Sequence, residues 1–176
     1  MKPSEMSVPA WKKDYWDYDE ACEAIKDITD QIKLTEIAEK APNEFVRQAA
    51  VEKINNQETL EKIAKTDKEK SVQKAAIEKI NNQEFLEEIV KADGSWTVRI
   101  VAVGKINNQK FLEEIAKTDR EWSVREAAVE KINNQEFLEE MAKTTGDEYV
   151  QVAAVKKINS QNLLEEMAEN AGDSYV

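Results

Sequence analysis

Carboxylates are the only reactive groups this chain has in quantity. It carries 36 Asp and Glu against 25 Lys and Arg, no His, and one cysteine, Cys22. Paired acids can move protons or hold a cation, but only where a cleft drives their pKa values apart. Here the acids recur at fixed intervals. Glu61, Glu87, Glu113, Glu139 and Glu165 form one column, and Glu88, Glu114, Glu140 and Glu166 form a second beside it. Such spacing describes solvated helix surface. Without His, the commonest general base and metal ligand are absent, and Cys22 has neither a His partner nor companions for a zinc site. Asp93-Gly94-Ser95 lacks the acid series and twelfth-position Glu of a calcium loop. Val103-Gly104-Lys105 lacks the upstream glycine spacing of a phosphate loop. No enzymatic activity, cofactor or metal is expected.

The elements that carry these columns are set by a pentapeptide, Lys-Ile-Asn-Asn-Gln. It begins at Lys53, Lys79, Lys105 and Lys131, returns every 26 residues, and appears at Lys157 with Ser160 in place of the second Asn. Units that short cannot each bury a core, so they must stack on their neighbours. Apolar residues at spacings of three and four mark two helices per unit. The first is expected near Gln83 to Lys91, and the second from Ser95 or Thr97 to Ile106. Helices of this length, about 15 Å, are marginal alone and need packed apolar faces. Ala50, Ala76, Ala102, Ala128 and Ala154 mark where helices approach closely, and the Asn pairs suit helix N-caps. Ser123-Val124-Arg125-Glu126 has the form of a capping box. Lys53, Lys79, Lys105, Lys131 and Lys157 are expected to pair with nearby Glu. Glu61, Glu87, Glu113 and Glu139 each precede a Lys by four residues, which leaves the second acidic column largely unpaired.

The pattern V-R-x-x-A-V-x-K-I-N-N-Q-x-x-L-x-x-I-A-x-x-D resembles HEAT-like α-solenoids of bacteria, including short-repeat relatives of the leucine-rich-repeat-variant type. The resemblance covers the chain from about Asp19 onward. It implies an all-α fold, a right-handed α-solenoid of stacked two-helix repeats, in which an Asp after the first helix and an Arg six residues later link adjacent repeats. Asp93 with Arg99 and Asp119 with Arg125 have that spacing. Such solenoids mostly bind proteins. Residues 1–19 are expected to be an N-terminal capping segment, with Trp11, Tyr15 and Tyr18 packed on the first hairpin. Residues 20–176 form about five to six units, the last incomplete, which implies a continuation or end-to-end self-association.

A net charge of −11 argues against direct binding of nucleic acid or an anionic membrane and favours a protein with a basic surface. One cysteine and the absence of a secretion signal or a long apolar run suit a cytoplasmic protein. In such arrays the second helices line the concave face, and the positions that vary between copies locate a partner site. Trp96, Ile100, Gly104, Trp122 and Glu126 are its expected centre, with Tyr149 and Val152 extending it. The function expected is a non-catalytic protein-binding scaffold or adaptor. The alternative is an acidic inhibitor whose Glu88, Glu114, Glu140 and Glu166 column blocks the basic nucleic-acid cleft of an enzyme.

Overall fold

The computed structural model describes residues 17–92 and 94–159. Along them run eleven consecutive helices and no strand: α1 (Tyr18–Ile25), α2 (Gln31–Lys40), α3 (Glu44–Lys53), α4 (Gln57–Thr66), α5 (Lys70–Lys79), α6 (Gln83–Lys91), α7 (Trp96–Lys105), α8 (Gln109–Thr118), α9 (Trp122–Lys131), α10 (Gln135–Thr144) and α11 (Glu148–Lys157). The chain divides into two compact units between Ala102 and Val103, within α7. In the first unit α2 packs on α3, α4 on α5, and α1 and α5 flank α3. In the second, α8 packs on α9, α10 on α11, and α9 on α11.

The helices start and stop where the pentapeptide directs. The second Asn is an N-cap: Asn56, Asn82, Asn108 and Asn134 accept backbone N–H bonds through Oδ1 at the starts of α4, α6, α8 and α10. The Ile is the extended residue that ends the preceding helix, and Ile54, Ile80, Ile106 and Ile132 are fully buried. Each first helix turns one stripe inward, for example Leu60, Ile63 and Ala64 in α4 or Phe111, Leu112, Ile115 and Ala116 in α8. The five alanines Ala50, Ala76, Ala102, Ala128 and Ala154 are all at 0% exposure.

Within each compact unit, Gln and Lys of the pentapeptide tie one hairpin to the next. Gln57 Nε2 donates to the Lys79 carbonyl at 3.1 Å while its Oε1 accepts from the Asn81 backbone N–H at 2.9 Å. Gln31, Gln109 and Gln135 repeat this two-point clamp on Lys53 and Asn55, Lys131 and Asn133, and Lys157 and Asn159. The lysines correct the pairing with Glu expected of them. Lys53 Nζ donates to the Ile25 carbonyl, Lys79 to that of Glu52, Lys131 to that of Gly104 and Lys157 to that of Glu130. These carbonyls lie in the last turn of the preceding second helix, where intrahelical donors run out and the helix dipole favours a cation. Burial holds the Lys157 ammonium below its ordinary pKa, opposed by the Glu130 carboxylate.

The capping box at Ser123 does not form. Asp119 Oδ1 takes the Glu121 N–H at 2.9 Å and turns the loop early, so α9 starts at Trp122 and Ser123 already lies inside it. The N-terminal expectation for Trp11 and Tyr15 falls outside the described residues. Tyr18 opens α1 after Asp17, which caps it through the Glu20 N–H. The Tyr18 hydroxyl is buried with no hydrogen-bond partner among the described residues. Burial, with the Glu52 carboxylate nearby, pushes its ionisation above the usual phenol range.

Candidate partner-binding surface

Two arginine clusters stiffen the loops beneath the second helices. Arg47, at 4% exposure, makes a bidentate pair with Asp67 (Nε to Oδ2 2.8 Å, Nη2 to Oδ1 3.0 Å) and donates from Nη1 to the carbonyls of Ala41 and Pro42. Arg125 reaches Asp147 through a single oxygen, with Nε (3.2 Å) and Nη2 both donating to Oδ2, and donates from Nη1 to the Asp119 carbonyl at 2.6 Å. So Arg125 meets the backbone, not the carboxylate, of the Asp six residues before it; its charge partner lies in the next hairpin. Burial raises the Asp147 pKa, but hydrogen bonds from Arg125 and from the Val150 and Tyr149 N–H groups hold it below the ordinary carboxylate value. Arg99 is buried and donates to the Gly94 carbonyl at 2.7 Å. Asp119 is half-buried, and Asp93 lies outside the described residues.

The acidic columns are partly spent on packing. Asn82 Nδ2 donates to Glu61 and Asn134 Nδ2 to Glu113, both at 2.9 Å. The second column corrects the expectation that it stands unpaired. Lys65 bonds Glu88 and Lys117 bonds Glu140, each at 2.9 Å, while each ammonium also sits 4.9 Å from a ring centroid, Phe85 and Phe137 respectively. The lysines turn to the next hairpin because the aromatic ring there offers a second attraction, which a bond to the Glu four residues back would forgo. Glu114 is exposed, and Glu166 lies outside the described residues, as does the C-terminal end proposed for self-association.

The varying positions of the second helices behave differently in the two units. In the first, Trp96 is 46% exposed at the start of α7 and Ile100 is half-buried. In the second, Gly104 is exposed, and an added Cβ would meet nothing within 4 Å. There too Trp122, Tyr149 and Val152 are 43%, 55% and 45% exposed, and Glu126 is half-buried. The Trp122 and Tyr149 rings stack with centroids 4.1 Å apart and an interplanar angle of 26°. Tyr149 stands one residue beyond the position equivalent to Trp122, a turn of about 100° around the helix axis, and its ring lies on that of Trp122. Val152 follows Tyr149 by three residues, on the same face of α11.

Ile32 in α2, at 84% exposure, is a further open apolar side chain that the reading of the second helices passed over. Its signal is in the sequence, since Glu58, Glu84, Lys110 and Glu136 occupy the equivalent places. Among the described residues no cluster of His, Cys, Asp and Glu could hold a metal ion, and no helix is long and apolar enough to cross a membrane. Scans against family models, curated proteins and solved structures give no match to this chain.

Proposed function

We propose that the chain is a non-catalytic protein-binding scaffold built as a right-handed, HEAT-like helical repeat, and that it holds its partner on the second-helix face of α9 and α11. The observation that carries this reading is the stacked, half-open Trp122–Tyr149 pair with Val152 beside it. Exposed aromatics held rigid by a neighbour lose little entropy on binding and are typical interface anchors. Arg125, Asp147 and the Gln135 clamp fix the backbone beneath them. The acidic-inhibitor reading has less support, because Glu88 and Glu140 already hold ammonium partners.

The test is affinity capture from lysate of the source cells with three baits: wild type, Trp122→Ser/Val152→Asp, and Glu88→Gln/Glu114→Gln/Glu140→Gln. The first variant is expected to lose the captured proteins while its thermal midpoint holds, and the second to keep them. Capture lost only by the acidic variant, and falling steeply between about 50 and 200 mM salt, would favour the charge decoy instead.

A further inference from the structure

The partner chemistry follows from what surrounds the stacked rings, and it rests on the binding face proposed above. We infer that α9 and α11 take a cationic, amphipathic peptide segment, with an arginine laid over the Trp122–Tyr149 rings and an aliphatic side chain against Val152.

Each ring of the pair turns one face to the other, and their exposure of 43% and 55% leaves outer faces and edges open. Those faces carry the negative lobe of the ring quadrupole and attract a cation. A planar guanidinium lies flat on a ring and pairs with a carboxylate through two parallel N–H bonds, a geometry that a compact ammonium lacks. Acids stand on both sides of the rings. Glu126 follows Trp122 by one turn on the same face of α9, and Glu148 precedes Tyr149 directly and Val152 by one turn. Arg125, three residues past Trp122, is already committed, since its guanidinium is held by the Asp147 carboxylate and the Asp119 carbonyl. The positive end of α11 is likewise covered, with Asp147 Oδ1 accepting from Tyr149 and Val150. Lys156, one turn beyond Val152, stands at the far end of the strip, so charge changes sign along it and gives the bound segment a direction. An arginine belongs at the ring end, and the aliphatic side chain follows at Val152.

The experiment titrates the full chain into fluorescein-labelled peptides of sequence ARLAARLAARLA, its Gln-for-Arg and Glu-for-Arg counterparts, and a labelled single-stranded oligothymidylate, following anisotropy. Saturable binding of the arginine peptide is expected. Trp122→Ser and Glu126→Gln should each weaken it about tenfold, as loss of a cation–π contact or its charged rim would. The Gln peptide should be weaker by at least as much, and Glu88→Gln/Glu140→Gln should change affinity less than about twofold, because those acids belong to first helices and already hold lysine partners. Equal affinity for the Arg and Gln peptides, preference for the oligothymidylate, no binding of the arginine peptide, or equal loss from the first-helix acidic variant would each overturn the inference. If the Arg dependence fails while Trp122→Ser/Val152→Asp still abolishes protein capture, the binding face stands and only its partner chemistry falls. Failure of both measurements removes the face as well.

Discussion

Removing Arg47 tests whether buried ion pairs or apolar packing alone hold the hairpins in register. Its side chain and that of Asp67 are 5% and 7% exposed, and the Asp67 hydrogen bond drives the Arg47 pKa above its ordinary value. Arg47→Met keeps the volume but leaves the Asp67 carboxylate buried without a countercharge and the Ala41 and Pro42 carbonyls without a donor. Breaking one side of such a pair costs about 3–5 kcal/mol. Arg47→Met/Asp67→Leu removes the stranded charge as well. What then remains is the loss of hydrogen bonds to two carbonyls and to the Glu69 N–H, about 1–3 kcal/mol in total. Equilibrium urea unfolding of wild type, both single variants and the double variant closes the cycle, with coupling of at least about 1 kcal/mol expected. The m-values must agree, since helical arrays can lose two-state behaviour. Arg125→Met supplies the internal control: its pair is 22% and 15% exposed, so water screens the stranded carboxylate and the cost should be visibly smaller. An Arg47→Met cost under about 1 kcal/mol, or strict additivity in the cycle, would refute the reasoning.

Two further predictions concern the links between hairpins. Gln57→Leu should destabilise by about 1 kcal/mol, because both of its hydrogen bonds cross to the next hairpin but water can reach the groups left behind; Lys62→Ala, which removes only an exposed pair with Glu39, should lie near zero in the same urea titration. Because the Asp147 pKa is depressed in the folded state, its contribution is fully present above the ordinary Asp value of about 3.9 and is lost as pH falls through the folded value. Stability measured against pH should therefore fall less steeply below about pH 4 for Asp147→Asn than for wild type, and parallel curves would count against the pairing.

The hairpins were legible because local signals agreed with one another. Asn before a run of apolar residues at helical spacing, Ile after a terminal Lys and Ala where backbones must approach each specify the same boundary, and the helix expected near Gln83 to Lys91 is α6. What the sequence could not disclose is which group a long polar side chain selects from several within reach. Lys53, Lys79 and Lys131 have Glu neighbours in sequence, yet they, like Lys157, choose carbonyls at a helix end that only stacking brings close. Lys65 and Lys117 likewise pass over the Glu four residues back for an acid and a ring on the next first helix. Gln57 and its equivalents gave no local sign of their role, since both bonds they make span 22 to 24 residues.

The binding surface shows the same division. That Trp122, Tyr149 and Val152 break the polar pattern of their columns can be read from the sequence, because a constant scaffold makes each departure visible. Their joint effect cannot. Tyr149 looks like a misplaced copy of the Trp column until α9 and α11 are side by side; then the single-residue offset is what turns its ring onto Trp122. Ile100, the most conspicuous departure in sequence, is half-buried and so offers less surface than the residues whose pairing only the packing reveals. If the strip exists to hold a partner, removing the offset should damage it as much as removing the ring itself. Glu148→Tyr/Tyr149→Ser, which keeps the ring but turns it about 100° away, should weaken capture as strongly as Tyr149→Ser, and full retention of capture would show that the stack itself is incidental.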